Sequence, residues 1–128
     1  MYYSSHSIAL ILPLCCAGNF LCGGYGLAPY DPSGIQAFAA ALKVSGSLGT
    51  LNLLGNGMWE DEAKAFIEVY EQSTTLQSLC GLTSGVTKVD LSFHYLNPAD
   101  ALLLAAELKK GVTTGWLNSL DLSGETYA

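Results

Sequence analysis

The amino-acid sequence predicts an α/β fold built from repeated strand–turn–helix units, and three observations lead to this prediction. A leucine-rich spacing recurs four times along the 128 residues. Between these segments, apolar residues recur at the spacing of one helix face. Residues typical of helix starts and ends stand at the borders of the helical segments. Together these patterns predict one compact domain in which short strands alternate with helices.

The strand segments share the spacing L-x-x-L-x-L-x-x-N-x-L, in which alternate residues of the strand face the core. The spacing is clearest in residues 48–58, where Leu51 and Leu53 are expected inside and Asn56 occupies the polar position. The other segments, with the residue at the polar position in parentheses, are 17–27 (Tyr25), 86–96 (His94) and 117–125 (Glu125). Since only one segment keeps the asparagine, the other three turns are expected to be less regular.

Three helices are predicted between these strands from apolar residues at i, i+3, i+4 and i+7. The three faces are Ile35, Phe38, Ala39, Leu42; Ala63, Phe66, Ile67, Tyr70; and Ala101, Leu104, Ala105, Leu108. Each face is expected to pack against the strands of its own unit.

Border residues support the same helices. Asn97 before Pro98 is typical of an N-cap followed by proline in the first turn, and Asp31 before Pro32 is similar. The acidic run 60–62 favours a helix N-terminus. Two glycines that follow predicted helices, Gly46 and Gly111, are expected as left-handed C-caps.

With these residues in place, the chain resembles leucine-rich repeat proteins of the ribonuclease-inhibitor-like subtype. The stretch "GIQAFAAALKVSGSLGTLNLLGNGM" is close to the pattern of that subtype, whose units run near 28 residues. The resemblance implies a short solenoid, a horseshoe arc with parallel strands on the concave face and helices on the convex face. It also implies work as a scaffold, an inhibitor or a regulatory sensor.

The predicted organisation has two parts. Residues 1–16 form an irregular or signal-like apolar segment, and residues 17–128 form the repeat domain with about three to four repeats and an irregular insertion near 80–88. The leader "MYYSSHS" lacks the basic residues of a signal peptide, and the apolar run after it is too short to span a bilayer. We therefore expect a cytoplasmic protein, with secretion as the alternative if residues 1–18 act as a signal peptide.

The end of the repeats is predicted to lack a cover, because "TYA" follows the last strand segment. Repeat arrays need their terminal units covered. The sequence therefore favours a fragment of a longer array or a truncated chain, and the alternative is self-association, in which another copy covers the uncapped end.

Charge restricts the class of partner. Five lysines and no arginine stand against eleven acidic residues, which gives a net charge of −6. Binding to nucleic acids and anionic membranes depends on clustered positive charge, so neither is expected as a partner. Another protein or a peptide, especially a basic one, is the expected partner.

No catalytic, cofactor or metal site is predicted. The glycines Gly24 and Gly26 lack the third glycine of a dinucleotide-binding turn. A pairing of Asp90 with His94 lacks a nucleophile elbow. The clustered cysteines do not have the spacing of a structural zinc site. They are Cys15, Cys16 and Cys22.

The expected site is the outward face of the strands, because residues beside the inward leucines point to the other side. The predicted partner-binding residues are Asn52, Leu54, Cys80, Leu82, Asp90, Ser92, Asp121 and Ser123. Trp59 and Trp116 are interpreted either as covers of the core edge or as exposed anchors. The leading hypothesis is a non-enzymatic protein-binding module. The alternatives are a structural piece of a larger repeat array and, third, an enzyme.

Overall fold

The computed structural model describes residues 12–15 and 30–124, in which strands and helices alternate. The elements, in chain order, are β1 (Leu12–Cys15), α1 (Ser33–Val44), β2 (Leu48–Asn52), α2 (Glu60–Gln72), β3 (Lys88–Asp90), α3 (Pro98–Lys110) and β4 (Ser119–Asp121). β1 falls within the segment predicted to be irregular or signal-like. The predicted first repeat at 17–27 lies outside the described residues. β1 precedes it in the chain.

The strands of both sheets pair in parallel, whereas an isolated bridge between Asn52 and Cys80 is antiparallel. β1 pairs with β2, with Leu14 opposite Leu51, and Thr50 of β2 forms a parallel bridge with Ser78, 28 residues later. β3 pairs with β4 in a second two-stranded sheet. Because neighbouring parallel strands need a crossover connection, a helix joins the members of each pair. The observed content is therefore mixed α/β.

The core lies between the strands and the helices. Leu51 and Leu53 are fully buried, which confirms their predicted inward positions. Asn56 is also fully buried, and its Nδ2 donates to the Leu53 carbonyl oxygen at 2.9 Å. In the turn after β2, a side chain therefore supplies the hydrogen bond to a backbone carbonyl, and the buried Asn56 amide gains the partner that a buried polar group requires.

The predicted buried faces of α1 and α2 are confirmed, whereas that of α3 is confirmed only at Leu104. In α1 and α2 the buried residues include Ile35, Ala39, Leu42, Ala63, Phe66 and Tyr70. In α3 the buried face is instead formed by Ala99, Asp100, Leu103, Leu104, Ala106 and Glu107. Ala101, Ala105 and Leu108, which were predicted to face the core, are exposed. The helix is rotated because two buried carboxylates, Asp100 and Glu107, bind backbone groups of earlier segments.

The border residues of α3 behave as predicted. Asn97 Oδ1 accepts from the Asp100 backbone N–H at 2.9 Å, and Asp100 Oδ2 accepts from the Asn97 backbone N–H at 3.0 Å, which makes a capping box. Asp100 Oδ1 also accepts from Gly55 N–H at 3.2 Å and joins α3 to the turn after β2. Gly111 ends the helix with φ of 73°.

The other helix borders give a mixed result. The acidic run 60–62 forms the first turn of α2, as predicted. The left-handed cap predicted at Gly46 is wrong, because α1 ends at Val44 and its C-cap residue, Ser45, is extended. Pro32, and not Asp31, occupies the N-cap position of α1. Asp31 still accepts from the Ser33 backbone N–H at 3.0 Å, directly before the helix.

The helices pack in the order α1, α2, α3. Lys110 near the end of α3 reaches the C-terminus of α2, where its Nζ donates to the carbonyl oxygens of Tyr70 at 2.6 Å and Ser73 at 3.1 Å. It also lies 4.1 Å from the centroid of the Tyr70 ring. Orphan carbonyls at a helix end favour such a cation. Partial burial lowers the pKa of the Lys110 ammonium, with Glu71 opposing the effect.

Candidate functional site

Three strands end in the same way. The last residue of each is Asn or Asp, and its side-chain oxygen accepts from the backbone N–H two residues later. The pairs are Asn52 with Leu54 at 3.1 Å, Asp90 with Ser92 at 2.9 Å, and Asp121 with Ser123 at 2.9 Å. This local bond turns the backbone out of the strand path, so it terminates β2, β3 and β4 alike.

The two aspartates among these turn-forming residues are neighbours. Asp90 and Asp121 are register partners in the parallel pair β3–β4, and both are exposed. Adjacent strands lie about 4.8 Å apart, so the two carboxylates stand side by side. The Ser92 hydroxyl donates to Asp90 Oδ1 at 2.5 Å. This bond and the Ser92 backbone N–H hold the pKa of Asp90 below its usual value, to which the charge of His94 also contributes.

The loop after β3 holds two aromatic residues in a conformation that favours glycine. Phe93 has φ of 57° and Tyr95 has φ of 54°. At the corresponding positions of the loop after β2 stand Gly55 and Gly57, with φ of 77° and 70°. A side chain in this region costs about 1 kcal/mol or more per residue. Phe93 and Tyr95 are nevertheless 67% and 62% exposed, so core packing is not what holds the rings there.

Phe93 connects this loop to the end of β4. Its backbone N–H donates to the Ser123 carbonyl oxygen at 3.0 Å, and its ring occupies the space that a Cβ on Gly124 would need. Gly124 has φ of 77° and corresponds to Phe93 in its own turn. The glycine therefore leaves room for the ring beside Asp121.

These residues define the acidic–aromatic surface of the protein. It consists of Asp90, Ser92, Phe93, Tyr95, Asp121 and Ser123, four of which the sequence predicts as partner-binding residues. Phe93 and Tyr95 were missed. A signal for them exists, since aligning 52–58 with 90–96 sets the two aromatic residues against the turn glycines Gly55 and Gly57.

The outward orientation predicted for the apolar members of the site is wrong. Leu54, Cys80 and Leu82 are buried, and Asn52 is half-buried. Strand alternation does not apply to these two leucines, because Leu54 lies beyond the end of β2 and Leu82 follows the isolated bridge at Cys80. Leu54 follows the Asn52 turn, and the Leu82 backbone N–H donates to the Ser78 hydroxyl at 2.9 Å.

Cys80 faces the core because its backbone is drawn toward α3. Its N–H donates to Glu107 Oε1 at 2.9 Å. Burial raises the pKa of the Cys80 thiol well above its usual value, and the charge of Glu107 raises it further. A thiol held neutral in the core is a weak nucleophile.

The Asp90, Ser92 and His94 side chains lie close in sequence, but their bonds differ from those of a catalytic triad. The Ser92 hydroxyl donates to Asp90, whereas in a triad the serine donates to the histidine. His94 Nδ1 lies 2.9 Å from the Ser92 carbonyl oxygen. The serine is therefore bonded as a turn residue.

Trp59 and Trp116 are both exposed. Trp59 stacks on Tyr30 with ring centroids 4.0 Å apart. The Tyr30 hydroxyl accepts from the Trp59 backbone N–H at 3.1 Å and donates to Glu62. This contact fixes the start of α2 and leaves one indole face to solvent.

Within residues 12–15 and 30–124, no group of three or more histidine, cysteine, aspartate or glutamate side chains is arranged to hold a metal ion. None of the helices in the same ranges is long and apolar enough to cross a membrane. The glycines Gly24 and Gly26 and the cysteines Cys16 and Cys22 lie outside the described residues.

Comparisons of the chain with protein-family models, with curated proteins and with solved structures gave no match.

Proposed function

We propose that this protein is a non-enzymatic binding module that holds a basic segment of another protein on its acidic–aromatic surface. The observation that carries the proposal is the pair of exposed carboxylates, Asp90 and Asp121, beside the exposed rings of Phe93 and Tyr95. The strained backbone under both rings supports a role outside folding, because such strain collects at functional positions.

The chemistry of the surface favours lysine and arginine side chains. Two neighbouring carboxylates repel each other, and a cation between them removes that repulsion. Aromatic faces attract the same cations, at about 0.5–1 kcal/mol for an exposed site. The net charge of −6 also steers basic partners toward the protein over several ångströms.

The proposed architecture is a short leucine-rich repeat arc. It is supported by the parallel strand pairing, by the row of helices and by Asn56, which bonds its turn from a buried position. The interrupted unit between Cys80 and Lys88 separates the two strand pairs in such an arc. The surface would then lie on the strand-bearing side, where repeat proteins bind their ligands.

A structural role within a larger repeat array is the second candidate. The exposed face of α3 favours it, because Ala101, Ala105 and Leu108 offer a further unit an apolar surface. The two candidates do not exclude each other, since a unit of an array can also bind a ligand.

The test is a titration with short synthetic peptides followed by NMR. Lysine- and arginine-rich peptides, with and without one aromatic residue, are added to the protein, and acidic peptides of equal length serve as the negative probe. We expect the basic peptides to shift the backbone signals of Asp90, Phe93, Tyr95 and Asp121. Salt should weaken the binding, because the attraction is between exposed charges.

Matched variants locate the binding. Asp90→Asn with Asp121→Asn should weaken the affinity at least about tenfold, a loss of about 1.4 kcal/mol. Glu60→Gln with Glu68→Gln removes the same charge from exposed positions of α2 and should change the affinity little. Equal losses in both double variants would show non-specific attraction to an acidic chain and would refute the proposal.

A further inference from the structure

β4 is an edge strand. Within the part of the chain that the structure describes, its one hydrogen-bonded neighbour is β3. The Ser119 backbone N–H donates to the Thr87 carbonyl oxygen at 3.1 Å, and the Asp121 carbonyl oxygen accepts from Leu91 N–H at 2.8 Å. Successive residues of a strand direct their backbone groups to opposite edges, so Leu120 presents its N–H and C=O to the open edge. Such an edge is a template for a further strand.

An apolar groove of about 340 Å³ lies along the same edge, between β4 and α3. The groove exists because α3 is rotated toward Glu107, which turns one apolar stripe of the helix away from the core. Leu122 is 42% exposed at its rim. The lining contains no charged side chain and includes Leu104, Ala105, Leu108, Leu120 and Leu122.

The two faces of β4 differ in chemistry. Leu120 lines the groove, whereas Asp121 is exposed on the opposite face, beside Asp90 of β3. In a strand that pairs with β4, the residue opposite Asp121 has its side chain on the side of that carboxylate, about 5 Å away. The residues before and after it point to the other side, into the groove. The edge therefore matches a strand in which a basic residue stands between two apolar ones.

We propose that the basic segment held by the acidic–aromatic surface is an extended strand that pairs with β4, with a lysine or arginine toward Asp121 and apolar side chains in the groove. This inference rests on the proposed function, because it names the conformation and the residue pattern of the bound segment. In binding by strand addition, main-chain hydrogen bonds supply affinity and the alternate side chains supply specificity.

Charge favours a basic partner over a second copy of this chain. Asp121 lies on the edge strand itself and Asp90 lies on the next strand. A second copy has the same net charge of −6 and brings more negative charge to this edge. Like charges opposite each other destabilise a strand pair, whereas opposite charges stabilise it. The occupant is therefore a basic segment of another protein.

The length of β4 sets the expected strength. The strand has three residues, so an added strand forms few main-chain bonds. Short edge strands pair weakly for this reason. The groove and Asp121 must therefore both contribute, and binding should depend on the order of residues in the segment as well as on its charge.

The test compares two peptides of identical composition, acetyl-Lys-Val-Lys-Val-Lys-amide and acetyl-Lys-Lys-Lys-Val-Val-amide, in an NMR titration of the full chain. Only the first places valines on both sides of a lysine. We expect it to bind about tenfold more tightly, because it alone combines the main-chain bonds with both faces. It should also protect the Leu120 amide from hydrogen exchange, since that N–H then donates to the peptide.

Two N-methylated forms of the alternating peptide are the matched controls. One form carries the methyl groups on its valine amides and the other on its lysine amides. Successive amides of a strand point to opposite edges, so one form lacks the N–H groups that face β4 and the other keeps them. Binding and the protection of Leu120 should be lost with one form and kept with the other. Equal effects of the two forms overturn the inference.

A pair of protein variants tests the groove. Leu122→Ser removes an apolar wall of the groove, and Val112→Ser makes the same kind of change at an exposed valine outside the lining. Leu122→Ser should weaken binding of the alternating peptide several-fold and leave the other peptide unaffected, whereas Val112→Ser should change neither. Equal losses in the two variants contradict the placement of the valines in the groove.

The outcomes separate this inference from the proposed function. Equal affinities for the two peptides, with signals shifted at Asp121 and Leu120 left unprotected, overturn strand addition and leave the proposed function standing. If neither peptide shifts the signal of Asp121, the proposed function fails as well. Protection of Leu120 that rises with protein concentration and needs no peptide would place a second copy at the edge and overturn the inference.

Discussion

The Glu107 carboxylate accepts a hydrogen bond of 2.9 Å from the backbone N–H of Leu79, a bond between α3 and the segment that follows α2. The same carboxylate accepts from Cys80 N–H at 2.9 Å and from the hydroxyls of Ser78 and Thr113 at 2.7 Å. Glu107 is fully buried, so four donors take the place of water. This cluster fixes the rotation of α3 and thereby exposes its apolar stripe.

We predict that Glu107→Ala lowers the free energy of unfolding by about 3–5 kcal/mol, because it leaves four buried donors without an acceptor. Glu107→Gln should cost less, about 1–2 kcal/mol, since its amide oxygen still accepts from the two N–H groups and both hydroxyls can turn to accept from its NH₂. Urea unfolding followed by circular dichroism measures both.

Glu68→Ala is the control for Glu107, as Glu68 is exposed on α2, and it should change stability by no more than about 0.5 kcal/mol. Similar small losses for Glu107→Ala and Glu68→Ala would mean that the buried cluster does not hold α3 in place.

Phe93 offers a test of backbone strain. We predict that Phe93→Gly is about 1 kcal/mol more stable than Phe93→Ala, because alanine keeps the left-handed strain and glycine does not. Both variants lose the ring contact with Gly124, so their difference isolates the backbone. Thermal unfolding of the two proteins measures it. An alanine variant as stable as the glycine variant would contradict the conformation at this residue.

Asp90 should make stability depend on pH. Its folded pKa is below the usual 3.8, so its contribution is fully present above that pH and is lost as the pH falls through the folded value. The stability difference between the wild type and Asp90→Asn should therefore be constant above about pH 5 and shrink in more acidic solution.

Ser92→Ala removes the hydroxyl that donates to Asp90 and should raise the pKa of Asp90 toward its usual value. Carboxyl carbon signals in an NMR titration report this pKa directly. A pKa that does not move would assign the lowering to the Ser92 backbone N–H and the charge of His94.

Cys80 should be unreactive in the native protein. Burial and the nearby Glu107 charge raise the pKa of its thiol, so iodoacetamide near pH 8 should modify it only when the structure opens. Mass spectrometry of the peptide that contains Cys80 measures the rate, which should rise in urea. A native rate equal to the denatured rate would show that the Ser78–Cys80 segment does not pack as described.

The sequence predicts correctly where local patterns decide the outcome. Leu51, Leu53 and the buried faces of α1 and α2 follow from apolar spacing, because no buried polar group competes with it there. Asn97, Pro98 and Gly111 mark the ends of α3 because caps depend on a few adjacent residues.

The exposure of the predicted partner-binding residues is confirmed in part. Asp90, Ser92, Asp121 and Ser123 are exposed or half-buried at the strand ends, but Leu54 is buried, like the other two apolar members. Alternation holds within a strand, whereas Leu54 lies past the end of β2, where the Asn52 side chain redirects the backbone, and Cys80 and Leu82 lie at or after an isolated bridge. The sequence signal for Phe93 and Tyr95 is their alignment with Gly55 and Gly57, and their φ angles show that both aromatic residues adopt the glycine-like conformation.

From α1 onward, the sequence by itself determines the order of helices and strands, the inward residues of β2 and the caps of α3, because each depends on neighbours within a few residues. β1, in contrast, falls in the segment predicted to be irregular or signal-like. The tertiary structure alone decides the rotation of α3. Its buried carboxylates, Asp100 and Glu107, bind backbone N–H groups of Gly55 and Leu79, which are distant in the chain. Apolar periodicity assigns polar residues to the surface, so it does not predict these buried contacts. The rotation that they impose leaves Leu108 in solvent and creates the groove beside β4.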